Sequence, residues 1–251
     1  MSEQTPTAPR PTAAMLVVGD EILSGRTRDA NMHHLANRLT EAGIDLAEVR
    51  VVRDDPDAIV AALRALSEAW DTVFTSGGIG PTHDDITADA VGAAFGAAVD
   101  VRDDARALLA AHYAPRGIEL NEARLRMARI PEGATLIDNP VSAAPGFTIR
   151  NVHVMAGVPK IFAAMVESVI PTLTGGAPLL SDSIRVHRGE GDVAGPLGEV
   201  VAAHPDCRFG SYPFADRDGS FGANVVVRGT DRAALDRAVA ALRDAFGADA
   251  G

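Results

Sequence analysis

Three short apolar runs, "AAMLVVG" (13–19), "IDLAEVRVV" (44–52) and "DTVFTSG" (71–77), are each followed by a stretch with helical spacing of apolar residues. After the first, Met32, Leu35, Leu39 and Ala42 recur every three to four residues between Asp29 and Gly43, and the glycine closes the helix. After the second, Asp55-Pro56 opens a helix with Ile59, Leu63 and Leu66 on one face. After the third, residues 84–96 are expected to be helical. Strands joined through helices must cross over right-handedly, which gives a mostly parallel sheet covered on both faces.

The middle of the chain predicts helices at 101–114 and 119–128, then a loop rich in proline and glycine over 131–147. A hairpin follows, "FTIR" and "VHVMAG", with Asn151 at its turn, and a helix from Pro159 to about Leu173. Gly175-Gly176-Ala177-Pro178 reads as a linker. Beyond it, strands at 180–187, 207–213 and 223–229 and helices at 193–203 and 231–246 form a small α+β unit. The expected fold is therefore α/β: a main domain over 13–174, a small α+β subdomain over 178–247, and a flexible tail, 1–12, rich in proline and threonine.

Of 251 residues, 47 % are hydrophobic, enough for a packed core. The formal net charge of −11 argues against a nucleic-acid or anionic-membrane surface. Cys207 is the only cysteine, so no internal disulfide forms and a reducing compartment is expected. No basic segment with an apolar run opens the chain, and no apolar run approaches the ~20 residues that span a bilayer. A cytoplasmic protein is expected.

In an open α/β sheet, ligands bind beyond the carboxyl ends of the strands. Gly19-Asp20-Glu21 follows the first strand, Asp54-Asp55 the second, and "TSGGIGPTHDDIT" (75–87) the third. Gly157-Val158-Pro159 follows "VHVMA" on the same rim. Within 75–87, Ser76, Gly77, Gly78, Gly80 and Thr82 offer backbone and hydroxyl donors, with Pro81 shaping the turn between them, while Asp84 and Asp85 would repel a bare phosphate. A metal ion between acids and phosphate reconciles the two. The same acids also read as caps of the following helix, and Asp55 before Pro56 reads better as a cap than as a ligand. Neighbours on a helix diverge, so of Asp84 and Asp85 one is expected to face the cleft and the other the helix flank.

The glycine spacing is neither a dinucleotide fingerprint nor a P-loop. His33-His34 diverge on their helix, His83 reads as an exposed loop residue, and Cys207 and Trp70 read as packing. Nothing resembles a nucleophile elbow.

The segments "VVGDEILSGRTRDAN", "TSGGIGPTHDDITADAV", "DNPVSAAPGF" and "HVMAGVPK" are similar, in order and spacing, to the competence/damage-inducible protein A family. They resemble its N-terminal molybdopterin-binding-like domain, a relative of the Mog and MoaB proteins of molybdenum-cofactor biosynthesis. The resemblance spans roughly residues 13–174, and "FGSYPFADRDGSFG" resembles the small segment that follows in that family. A three-layer Mog/MoaB-like fold with a nucleotide- or pterin-phosphate ligand is implied.

By that resemblance Asp54 and Asp85 serve metal-assisted chemistry on a pyrophosphate or adenylate; in the hydrolytic reading they hold a divalent metal (Mg²⁺, Mn²⁺ or Co²⁺) and Glu21 places the attacking water. Gly77, Gly78, Gly80, Pro81 and Thr87 match the phosphate loop. Asp20, Glu21 and Asn31 match the first motif, and Asn139, Pro145 and Gly146 the loop over the pocket. Some members hydrolyse ADP-ribose, and a related domain acts on FAD. Self-association is also implied, with the small C-terminal unit packing on a symmetry mate. Two departures stand out. "AAPGF" replaces "TAPGF", removing a hydroxyl at Ala143 or Ala144, and Ala156 precedes Gly157 where a proline-containing form is commoner. The amidohydrolase domain of longer members is not expected here, nor is its activity. Three functions remain open, in order of preference: a metal-dependent pyrophosphohydrolase on ADP-ribose-like dinucleotides, a molybdopterin or nucleotide binding module without turnover, and a molybdopterin adenylyltransferase.

Overall fold

The computed structural model describes residues 10–217 and 219–249. The chain forms two compact units, dividing between Gly176 and Ala177. The first begins β1 (Thr12–Val18), α1 (Asp20–Leu23), α2 (Asn31–Glu41), β2 (Asp45–Val52), α3 (Pro56–Ala69), β3 (Thr72–Ser76) and α4 (Thr87–Phe95). It continues β4 (Val99–Val101), α5 (Asp103–Tyr113), α6 (Glu122–Leu125), β5 (Arg129–Pro131), β6 (Thr135–Ile137), β7 (Gly146–Ile149), β8 (Val152–Met155) and α7 (Pro159–Val169).

Six strands lie in the order β2-β1-β3-β8-β7-β6. β2, β1, β3 and β8 run parallel, and β7 and β6 close the sheet antiparallel. β1 is buried along nearly its whole length because it is covered on both faces. Ala14, Leu16 and Val18 pack with Ile59, Leu63 and Leu66 of α3 and Ala90 and Val91 of α4. Ala13, Met15 and Val17 point the other way, onto Leu35 and Leu39 of α2 and Phe162 and Met165 of α7. This is the three-layer α/β fold expected from the alternation of strands and helices. Asp55 caps α3 through Ala58 N–H at 2.8 Å, with Pro56 at its first position.

Several local expectations are corrected. Of the expected tail, residues 1–9 lie outside the described residues, but the next three belong to the fold. Arg10 Nε–H donates to Gly43 O at 3.2 Å, and the Thr12 N–H and hydroxyl both donate to Asp71 Oδ2. The helix expected over 119–128 is only the short α6 followed by one 3-10 turn. The expected loop over 131–147 contains β6, paired with β7, and β4 pairs with β5 in a separate two-stranded ladder. Strands of three residues are too short to show alternation. The helix expected from residue 84 begins at Thr87, so Asp84 and Asp85 precede it.

The second unit holds β9 (Leu180–Val186), α8 (Glu190–Ala203), β10 (Arg208–Ala215), β11 (Phe221–Gly229) and α9 (Arg232–Phe246). Its antiparallel sheet, β10-β11-β9, packs Ile184, Val186, Val225 and Val227 against Leu235, Leu242 and Phe246. Cys207 is buried there. Among the described residues, no helix is long and apolar enough to cross a membrane.

Candidate functional site

The chain leaves β1 through α2 on one face of the sheet and leaves β3 through α4 on the other. The strand order reverses between these two neighbours, which opens a crevice at their carboxyl ends. A cleft of about 450 Å³ lies there. Its floor is the Gly77–Pro81 segment with Ala156 and Gly157, and Glu21, Asp54, Asp84 and Asp85 supply its charge. Ile79, Met127, Ala144, Val158 and Ile161 give it an apolar wall, and Asn139 and Ser142 complete the rim. No Lys, Arg or His is among the described residues that line it.

The floor needs glycine where the chain turns back against its neighbours. Gly77 has φ 105°, and a Cβ there would lie 2.3 Å from the Val18 carbonyl oxygen. Gly78 has φ 70°, and its Cβ would lie 2.1 Å from Thr87 Oγ1. The Thr87 hydroxyl donates to Gly77 O at 3.0 Å and its N–H to Gly78 O at 2.9 Å, fixing the loop to the start of α4. Gly77 N–H is spent on Met155 O, whereas those of Gly78, Ile79 and Gly80 have no acceptor among the described residues.

The acids are held individually. Asp54 Oδ2 accepts from Asp20 N–H at 2.9 Å. Asp85 Oδ2 accepts from Thr82 N–H at 2.8 Å and from the Thr82 hydroxyl at 2.5 Å, closing a turn over Thr82–Asp85. The Asp84 carboxyl also lies below the usual range, from the nearby Thr82 hydroxyl and then from its own N–H. One hydroxyl proton cannot serve both acids at once, and the bond to Asp85 is the one with hydrogen-bond geometry. His83 is exposed beside Asp84, 3.8 Å away.

Of the candidate residues, Glu21, Asp54, Gly77, Gly78, Gly80, Pro81, Asp85, Asn139 and Gly157 line the cleft. Asp84 lines it as well, contrary to the expectation that one of the two acids faces a helix flank; both sit in a turn, where helical divergence does not apply. Others support it from behind. Asn31, 4 % exposed, donates from Nδ2 to Ser76 Oγ at 2.7 Å and to Gly157 O at 2.8 Å, tying the ends of β3 and β8 together. Ser76 and Thr87 are buried, and Thr82 is spent on Asp85. Asn139 also organises its own loop, donating to Ser142 Oγ and Ala144 O.

Five candidates lie elsewhere. The Asp20 carboxyl is outside the cleft, 3.4 Å from Arg53 Nε, because residue 20 starts the short α1 and offers the cleft only its N–H, through Asp54. Gly19 N–H donates to Val52 O in the sheet. Gly146 is buried at the start of β7, where a Cβ would meet Val154 O at 2.4 Å, so its role is packing. Pro145 lines a small recess behind the glycine loop. Pro159 is the first residue of α7. Ala144 lines the cleft and Ala143 does not. The residues missed in the sequence are mostly the apolar wall; Met127 follows α6, and no local pattern ties that segment to the rim.

No group of three or more metal-ligating side chains is clustered among the described residues. Asp54 and Asp85 each leave Oδ1 without a hydrogen bond among the described residues. That donor set suits a Mg²⁺-like ion shared with a ligand's phosphate and water, and does not suit a cage made of protein alone.

Comparison with known proteins defines the class first. Residues 14–175 match the family described as "Probable molybdopterin binding domain", and residues 178–250 match "FAD synthase, middle domain". A protein of Pyrobaculum calidifontis is 36 % identical over 212 residues, covering 81 % of each chain. A CinA-like protein of Citrifermentans bemidjiense is 40 % identical over 167 residues, 64 % of this chain and 40 % of that one. The crystal structure of CinA from Thermoplasma acidophilum, a protein of unknown function, superposes with a TM-score of 0.59 at 36 % identity, covering 64 % of this chain and 98 % of that one. The chain belongs to the competence/damage-inducible protein A (CinA) family, with an N-terminal domain of the MoaB/Mog type.

Proposed function

We propose that the cleft hydrolyses the pyrophosphate of an ADP-ribose-like dinucleotide with the help of a divalent cation. One observation supports this above the rest: among the described residues, four carboxylates, loop N–H groups without an acceptor and an apolar wall share a cleft that no basic side chain lines. Such a cleft rejects a bare phosphate and accepts one that arrives with a cation.

Asp54 and Asp85 would hold the cation through their free Oδ1 atoms. The cation would polarise phosphorus and lower the pKa of attacking water. Gly78, Ile79 and Gly80 N–H groups would bind phosphate oxygens and stabilise charge that grows during attack. Glu21 would take the proton from the attacking water. The apolar wall of Ile79, Met127 and Ile161 would receive the flat heterocycle and exclude water around it.

Incubating the purified protein with ADP-ribose and Mg²⁺, Mn²⁺ or Co²⁺ should release AMP and ribose 5-phosphate. Tight binding without cleavage would favour a binding module, and adenylation of molybdopterin by ATP would favour the transferase. Self-association is part of the same reading, since the small second unit gains stability by packing on another copy.

A further inference from the structure

Arg126 neither lines the cleft nor belongs to any motif of the sequence. It lies in the 3-10 turn Arg126–Ala128 after α6. From there Nε–H donates to Thr82 O at 3.0 Å and Nη2–H donates to Asp85 O at 3.2 Å. These carbonyls are the two ends of the turn that presents Asp84 and Asp85 to the cleft.

Apart from Arg126, that turn is closed by a 3.3 Å bond from Asp85 N–H to Thr82 O and by the Asp85 carboxylate itself. A carboxylate that closes its own turn is compromised as a ligand, because any shift towards a cation weakens the closure. Arg126 grips the turn by its main chain, so its hold does not depend on what the carboxylates bind. The rigid fork of a guanidinium can span two carbonyls, whereas a lysine ammonium carries the charge without the fork. The next residue, Met127, is part of the apolar wall, so one short turn carries both the wall and the clamp.

We propose that Arg126 is a positioning residue: it holds the Thr82–Asp85 turn by its main chain so that the Asp85 carboxylate stays directed at the cleft when, together with Asp54, it takes up a cation. This inference rests on the metal-assisted reading above, and its test is arranged so that the two can fail separately.

The experiment compares the full chain with Arg126→Lys and Arg126→Gln in three measurements: amide hydrogen exchange, calorimetric Mn²⁺ affinity, and turnover of ADP-ribose. In both variants the amides of residues 82–86 should exchange ~10-fold faster or more, with β1 and β3 unchanged. Mn²⁺ affinity should fall ~10-fold, as for a displaced ligand. Turnover should lose ~10²-fold in kcat, while the affinity for AMP, held by the apolar wall, stays within about twofold in Arg126→Lys. Unchanged exchange over 82–86 overturns the proposal. So does faster exchange with unchanged Mn²⁺ affinity, since the clamp would then not reach the acids. If the wild-type protein neither binds Mn²⁺ nor turns over, the metal-assisted reading fails, and exchange alone decides whether Arg126 holds the turn.

Discussion

The close approach of the glycine loop to α4 gives a stability prediction that needs no ligand. In Gly78→Ala the new methyl would lie 2.1 Å from Thr87 Oγ1, at a backbone φ of 70°. The left-handed conformation costs about 1–2 kcal/mol for a residue with a Cβ. Overpacking against the buried hydroxyl adds about 1–3 kcal/mol, so the single variant should lose roughly 2–5 kcal/mol. Thr87→Ala removes the hydroxyl that donates to Gly77 O at 3.0 Å, leaving a buried acceptor unpaired at a cost of about 1–3 kcal/mol. In the double variant the steric overlap is gone, and the nearest remaining side-chain atom, Thr87 Cβ, is 3.2 Å away. The double variant should therefore be less destabilised than the sum of the singles by about 1–3 kcal/mol. Trp70 is the only tryptophan, and its Nε1–H donates to Glu48 at 2.9 Å within the first unit. Urea unfolding followed by its fluorescence thus reports on that unit, which matters in a chain of two units. Additivity within about 0.5 kcal/mol would refute the stated contact between Gly78 and Thr87.

Other outcomes follow from the same geometry. Asp85→Asn should lower metal-dependent hydrolysis by at least ~10²-fold with little change in thermal stability, because the amide oxygen can still accept from Thr82. Asp84→Asn should lower it less, by ~10-fold, as one of several cleft charges; equal losses would mean the cation's ligand is misassigned. His153 is buried with its ring nitrogens near Thr72 and Thr148 hydroxyls, and burial pushes its pKa down to about 4 from 6.5. As pH falls below about 6.5 the unfolded chain takes up this proton before the folded one, so the first unit should lose up to roughly 3 kcal/mol between pH 6.5 and 4. His153→Gln should flatten that slope in urea midpoints measured at pH 7, 6 and 5, and an unchanged slope would exclude His153 as its source. Light scattering should find an oligomer across working concentrations, and a monomer would remove the role given to self-association.

Much of the architecture was legible because it repeats a simple period. β1 reads as a central strand since both of its faces are apolar, and Asp55-Pro56 marks the start of α3 by capping and fixed φ alone. The convergence of glycines and acids on one rim followed from where strands end. The three-residue strands β4, β5 and β6 were invisible, being defined by ladders to distant partners. Asp84 and Asp85 looked like the first turn of a helix because their residue types suit that position. In the folded chain Asp85 instead closes a turn on Thr82, and α4 starts at Thr87. Arg126 was illegible for a similar reason: it acts across 44 residues of sequence, on carbonyls that any residue possesses.

The dependence of ligand affinity on a cation tests the proposed function most directly. An α,β-methylene analogue of ADP-ribose resists cleavage, so calorimetry with Mg²⁺ and with chelator compares binding alone. Four carboxylates, with no basic side chain among the described residues of the cleft, should make binding at least ~10²-fold tighter with Mg²⁺, a difference of about 2.7 kcal/mol. In Asp54→Asn and Asp85→Asn that enhancement should shrink. Equal affinity with and without the cation would contradict the metal-assisted reading of the cleft.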